Sequence, residues 1–262
     1  MPEKLPVIIA VLNSKGGVGK TTTAVNLAAA LASPKRRVLL VDLDSQASAS
    51  RWLGLQRRDL RPSSASCLLE KYPILKAVRH TATPNLDLLP GSIELANADV
   101  ALGGVRGREL CLRRMLDKVA AHYDVILLDC PPNLSLLAIN AMVAADGLIV
   151  PVAPEPLAVD ALETLLAAIE RVAVRIAPKR RVVGILLTLV DAHRAPTREM
   201  MERLRAAHRD KLFHTEIKWA AALAEAPLAR KTILESAPKS PATDAFRRLA
   251  GELLQRMPAV RH

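Results

Sequence analysis

The chain has 262 residues, half of them apolar, with a formal net charge of +11 and only two each of Trp, Tyr and Phe. That length suits one large α/β domain or two small ones; the longest apolar runs, such as VILLD and VVGILL, stop far short of the roughly 20 residues of a membrane span, and Cys67, Cys111 and Cys130 lack the spacing of a disulfide framework, a structural zinc or an iron–sulfur cluster. The positive charge points to a polyanionic partner and is uneven, with 19 Lys/Arg against 17 Asp/Glu in residues 1–174 and 18 against 9 in residues 175–262.

The opening MPEKLPVIIAVLNSK runs into an apolar segment without a charged leader, long apolar stretch and cleavage site, and so reads as a mature cytoplasmic terminus. Val7 to Leu12 is the first strand candidate. Behind it, Ser14 to Thr22 spells SKGGVGKTT. Glycines here let successive backbone N–H groups face one concave nest, and the start of the following helix adds its positive dipole end. Gly16, Gly17, Val18 and Gly19 therefore cradle phosphates, with Thr22 completing the nucleotide-binding run. Lys20 reaches the β- and γ-phosphates, and the Thr21 hydroxyl ligates magnesium. The ordinary GxxxxGK[ST] pattern has Gly where Ser14 stands, and it does not ask for Lys15.

Arg37 to Asp42 is the second strand candidate, with Asp42 and Asp44 just beyond its buried run, where side chains of an α/β sheet meet ligand. Gly54 to Ser66, rich in Arg, Pro and Ser, reads as a surface loop, and Gly103 to Arg108 as a connection. Further strands are expected at Leu86 to Leu89, Val125 to Asp129, Gly147 to Val152, Val182 to Leu187 and Leu212 to Ile217. Asp129 ends an apolar strand in the manner of a Walker B acid and can hold magnesium through water. The last helix, Asp244 to Met257, puts Phe246, Leu249, Ala250, Leu253, Leu254 and Met257 on one face and a basic surface on the other. Strands apolar throughout, alternating with amphipathic helices, predict an α/β fold: a single doubly wound, mostly parallel sheet flanked by helices over residues 1–262.

The run KGGVGKT resembles the deviant Walker A loop, KGGxGK[ST], of the ParA/MinD family of P-loop ATPases. In that family the first lysine crosses an ATP-dependent dimer interface to the phosphates held by the partner subunit, a role the resemblance carries to Lys15. VDLDSQ is similar to the family's VDxDPQ segment, which implies that Asp44 orients the attacking water and Asp42 helps hold the magnesium shell. Ser45 stands where the family has proline. YDVILLDCPPNLSLLAINAM is similar to DYxxIDCPPSLGxLTxNAL, so Cys130, Pro131 and Pro132 match a switch segment and Cys130 is a packed thiol. NLDLLPGSIELANADVAL from Asn85 and LAEAPLARKTI from Leu223 also resemble family segments. KWAAA, Lys218 to Ala222, departs from the family's PRNVR, which contacts adenine and carries a DNA-binding arginine. The absence of an NKxD box favours adenine over guanine. ATP and Mg²⁺ are the implied cofactors.

The basic C-terminal third supplies a face for duplex DNA of any sequence, because neutralised phosphates release counterions. Candidate contacts are Arg194, Arg198, Arg203, Arg205, Arg230, Lys231, Lys239, Arg247 and Arg248. Six aromatics argue against a stacking platform for single strands. With the phosphate loop about a dozen residues from the start, no N-terminal helix-turn-helix domain is expected. The resemblance implies a cytoplasmic, nucleoid-associated ATPase. It would form an ATP-bound homodimer, coat DNA and position a cargo such as a plasmid, chromosome origin, chemoreceptor array or carboxysome, with a ParB-like adaptor stimulating hydrolysis. A MinD-like membrane ATPase is the first alternative, from the basic amphipathic terminal helix. An ATP-dependent metabolic ligase on the same scaffold is the second.

Overall fold

The computed structural model of the chain describes residues 5–176 and 181–257. Strand β1 (Val7–Val11) leads through the glycine loop into helix α1 (Lys20–Leu31), then β2 (Val38–Asp42) and α2 (Ser48–Trp52). Helices α3 (Ser64–Leu69) and α4 (Ile74–Ala77) precede a short β3 (Arg79–His80) and β4 (Leu86–Leu89). Next come α5 (Ala98–Gly103), α6 (Cys111–Asp117), β5 (Val125–Asp129), α7 (Leu136–Ala144), β6 (Gly147–Val152), α8 (Ala158–Ile176) and β7 (Arg181–Leu187). The chain closes with α9 (Ala195–His208), α10 (Ala221–Glu225), α11 (Ile233–Ser236) and α12 (Pro241–Arg256).

The strands form one seven-stranded sheet in the order β3-β4-β2-β5-β1-β6-β7, parallel except for β3. Period-two alternation sends Val7, Ile9 and Val11 of β1 to one face and Ile8 and Ala10 to the other. The first face is covered by α1 and by Phe246, Leu249 and Leu253 of α12, and the second by residues of α7, α8 and α9, including Met200 and Leu204. Both faces being dry explains why the strands are apolar throughout. In α8 the buried Ala158, Leu162, Leu165 and Ile169 recur at helical spacing, so that one stripe meets the sheet.

The expected strand at 212–217 does not join the sheet as one. It makes isolated bridges, Ile185 with Leu212 and Val190 with Lys218. The backbone N–H groups of His214 and Thr215 donate instead to the Glu252 carboxylate of α12, at 2.8 and 3.0 Å. Phe213 fills the space over Gly184, where a Cβ would lie 2.2 Å from its ring. The expected loop from Gly54 to Ser66 is likewise only partly one. Ser63 caps α3 by accepting from the Ser66 N–H, and Ser63, Ser64 and Ser66 are buried. The two-residue β3, too short to show in the sequence pattern, pairs antiparallel with β4, and its His80 Nδ1 lies 2.7 Å from Asp87 Oδ1.

Candidate active site

Register across the sheet brings the motifs together. Asp129 at the end of β5 is level with Val11 of β1 on one side and with Asp42 of β2 on the other. The loop leaving β1 therefore starts at the level of two carboxylates carried on other strands. Asn13 anchors that loop: its amide donates to Pro151 O at 2.7 Å, and its side-chain oxygen accepts from the Lys15 N–H at 2.9 Å. Gly17 and Gly19 have φ of 74° and 79°, a left-handed backbone that disfavours any side chain, and Gly19 caps α1. Thr188, just past β7, holds the loop from outside by donating to Val18 O at 2.8 Å.

Lys20 is buried, and its ammonium donates to Lys15 O at 2.9 Å. Burial lowers its pKa, while the charges of Asp129 and Asp44 oppose that shift. Asp129 is fully buried, and neither of its carboxylate oxygens has a hydrogen bond of good geometry. The nearby Thr21 hydroxyl only moderates a pKa that burial, and then the Asp42 charge, raises well above the usual carboxylate range. A dry, unpartnered carboxylate beside the Thr21 hydroxyl fits a divalent cation held partly through water. Among the described residues no three His, Cys, Asp or Glu side chains form a cage of their own. The donor set is thus that of magnesium completed by phosphate and water rather than of a metal enclosed by protein.

Asp42 is arranged differently from Asp129. Its Oδ2 accepts from the Ser50 N–H and hydroxyl at 2.9 and 2.7 Å, and its Oδ1 accepts from the Asp44 N–H at 3.1 Å. Burial pushes its pKa up to about 6 against these hydrogen bonds. The Ser50 hydroxyl also accepts from the Gly91 N–H at 2.9 Å. A Cβ on Gly91 would sit 2.8 Å from the Asp42 carboxyl and from Asp44 O. Asp42 is thereby a fixed post that orients the half-buried Asp44, whose own Oδ1 accepts from the Gln46 N–H at 3.0 Å. Cys130 is buried, and desolvation raises its thiol pKa, as suits a packed thiol.

A cleft of about 1050 Å³ opens in front of the loop, lined by Gly16, Gly17, Gly19, Lys20, Thr21, Thr22 and Asp44, and on its far wall by Arg51, Trp52, Arg57, Pro227, Leu228 and Arg230. Lys15 does not line it. Its ammonium pairs with Glu155 Oε2 at 2.6 Å, on the loop after β6. Sequence reading missed Asn13, Ser50, Gly91, Glu155, Thr188, Arg51 and Arg57. Of these only Asn13, a polar residue breaking an apolar run next to the glycines, carries a local signal.

The basic residues expected to meet DNA are divided. Those of α9 and its start, Arg194, Arg198, Arg203 and Arg205, lie on the opposite side of the sheet from Arg247 and Arg248 of α12. Arg198 donates to Ala192 O and His193 O, while Arg203 pairs with Glu199, Arg205 with Glu216 and Arg247 with Asp244. Arg230 is in the cleft wall. The apolar face of α12, with Phe246, Leu249 and Leu253 fully buried, is turned into the core rather than presented to a membrane. No helix among the described residues is long and apolar enough to cross one.

Residues 7–182 match the family model described as an AAA domain. The chain is 38% identical over 246 residues to the sporulation initiation inhibitor protein Soj of Bacillus subtilis, covering 94% of this chain and 97% of Soj. It is 36% identical over 251 residues to the chromosome partitioning protein ParA of Caulobacter vibrioides, covering 95% and 94%. Among solved structures, one described as cobyrinic acid a,c-diamide synthase from Mycobacterium smegmatis with bound ADP and magnesium is 34% identical, with a TM-score of 0.83 over 97% of this chain and 96% of that one. An ATP complex of a McdA variant from Cyanothece shares the fold at 20% identity, with a TM-score of 0.86 over 96% and 97%.

Proposed function

This chain belongs to the Soj/ParA family of partition ATPases, uses ATP and magnesium, and on that footing we propose that it is a positioning ATPase whose nucleotide site is also its dimerisation switch. One observation carries the reading: Lys15 is turned out of its own cleft, onto Glu155, at the C-terminal ends of the strands where the glycine loop lies. A lysine so placed is positioned to meet the phosphates of a second copy. Exposed leucines support that partner. Leu134, Leu157 and Leu189 follow the C-terminal ends of β5, β6 and β7, and Leu228 rims the cleft. Large apolar side chains left in water around one site mark an association surface.

In this reading the loop N–H groups from Gly16 to Thr22 and Lys20 hold the phosphates, and Thr21 and Asp129 hold magnesium. Bound magnesium would neutralise charge on the phosphate oxygens. Asp44, steadied by the Asp42–Ser50–Gly91 chain, orients the attacking water. Asp42 acts by position, since its oxygens already accept three hydrogen bonds. Lys15 arriving from a partner adds a cation as charge develops on the outer phosphate, so hydrolysis depends on the dimer.

The ATP-bound dimer then binds duplex DNA without sequence preference, and an adaptor protein triggers hydrolysis and release. A nucleoid location and a cargo, whether plasmid, chromosome origin, carboxysome or protein cluster, follow from that cycle. The relatives named for partition support this over the ligase reading, which rests on the name of the M. smegmatis structure. The test is duplex binding and sedimentation with ATP and magnesium. Wild type is expected to dimerise and bind DNA in a salt-sensitive way, and Lys15→Gln to do neither. DNA affinity unaffected by ATP, or turnover driven by a small acceptor acid instead of by DNA and an adaptor, would refute the proposal.

A further inference from the structure

The far wall of the cleft carries more positive charge than the glycine loop accounts for. Arg51 comes from the end of α2, Arg57 from the turn behind it and Arg230 from the segment between α10 and α11, and Asp44 is the single carboxylate among the described lining residues. Some basic side chains elsewhere are neutralised locally: Arg58 pairs with Asp59, Arg61 with Glu70 and Arg203 with Glu199. Arg51, Arg57 and Arg230 have no such partner among the described residues. Three solvated charges on an ordinary surface would need no explanation. These three, exposed to solvent, instead share one cleft with the phosphate-binding loop, where an entering anion would meet all of them.

The backbone is shaped to gather them. Arg230 has a φ of 54°, in the left-handed region that a side chain disfavours, and it faces Gly54 at φ 101°, where an added Cβ would lie 3.9 Å from the Arg230 Cβ. Trp52 ties the two segments by donating its Nε1–H to Lys231 O at 2.8 Å. The α2 wall and the segment around 230 thus form one unit across the cleft from Lys20.

We propose that Arg51, Arg57 and Arg230 form a second phosphate subsite that contacts, within the same protomer, the outermost phosphate of a nucleoside triphosphate and so distinguishes triphosphate from diphosphate. This rests on the reading of the cleft as the ATP site. The glycine loop holds phosphates that ATP and ADP share, and Lys15 of the same chain is engaged by Glu155 at 2.6 Å. Lys20 bridges the shared and the outermost phosphates, and the arginines are the further cations available to the outermost one, where their planar forks suit its oxygens.

Trp52 lines the cleft and Trp219 is the other tryptophan, so Trp219→Phe makes Trp52 a single fluorescent reporter. On that background MgATP and MgADP are titrated into the parent, Arg51→Ala/Arg230→Ala, Arg51→Lys/Arg230→Lys and Lys20→Ala. The Ala pair is expected to lose about tenfold or more in MgATP affinity and less than about threefold for MgADP. The Lys pair, keeping the charge, is expected to recover part of the ATP preference. Equal weakening toward both nucleotides, no weakening, or a Lys pair no better than the Ala pair overturns the subsite while a Lys20-dependent ATP site stands. A parent that binds neither nucleotide, or Lys20→Ala binding as the parent does, overturns the ATP site and the subsite together.

Discussion

Lys15 Nζ and Glu155 Oε2 are 2.6 Å apart, joining the loops that follow the neighbouring strands β1 and β6 at their C-terminal ends. Both side chains are about half exposed, 45% and 57%, so the pair contributes at most about 1 kcal/mol to the fold. It is a contact that is easily exchanged. Glu155→Gln is expected to leave thermal stability within about 0.5 kcal/mol of wild type, while freeing Lys15 and strengthening ATP-dependent self-association in analytical ultracentrifugation. Unchanged or weaker association would mean that Glu155 does not restrain Lys15.

Lys20 donates to Lys15 O and is buried close to Asp129 and Asp44. Lys20→Ala removes charge-assisted hydrogen bonds to two phosphates, and MgATP affinity measured by equilibrium dialysis should fall by about 100-fold or more. Retained affinity would overturn the placement of the triphosphate at this loop.

Gly91 has no room for a side chain, since a Cβ would meet the Asp42 carboxyl at 2.8 Å and Asp44 O at 2.8 Å. Gly91→Ala must push the Asp42–Ser50 post aside. A loss of about 1–3 kcal/mol in chemical denaturation is expected, together with slower turnover at saturating ATP. Turnover at the wild-type rate would show that Asp42 does not set the position of Asp44.

Burial raises the folded-state pKa of Asp129, and of Asp42 to about 6 from 3.8. The folded protein then holds more protons than the unfolded chain, so the Asp42 contribution to stability is complete below about pH 4 and is lost as pH rises through about 6, and the Asp129 contribution is likewise lost as pH rises through its raised pKa. Nucleotide-free protein should lose stability in melts as pH rises from about 4, and Asp129→Asn should make that decline shallower. Magnesium needs the ionised Asp129, so magnesium-dependent nucleotide binding should strengthen as pH rises. A slope identical in Asp129→Asn would exclude Asp129 as a contributor.

Arg203 is paired with Glu199 on α9, whereas Lys231 and Arg248 have no ion pair among the described residues and belong to the opposite face. Lys231→Glu/Arg248→Glu should weaken ATP-dependent duplex binding and reduce its salt slope by about one per lost phosphate contact. Arg203→Glu should leave both close to wild type. The reverse ranking would put the DNA on the α9 side.

Most of the candidate site was legible in the chain itself because its motifs are contiguous. The run SKGGVGKTT carries its own backbone geometry in its glycines, realised at Gly17 and Gly19, and the acids at Asp44 and Asp129 are announced by the apolar strands before them. The parallel sheet was legible for a similar reason, since strands buried on both faces have to be apolar throughout. Other features depend on partners far away in sequence. Leu212 to Ile217 has the composition of a strand, yet Glu252 takes the N–H groups of His214 and Thr215 in its middle. Ser50 and Gly91 matter only because β2 and β4 are neighbours. Arg230 reads as one more surface cation until Gly54 is brought against it and it becomes part of the cleft. The sequence by itself thus determined the phosphate-binding chemistry, which is written in contiguous residues. Tertiary structure alone decided where Lys15 points, which acid is satisfied and which charges face each other, because each of these is a distance between segments whose separation along the chain carries no signal.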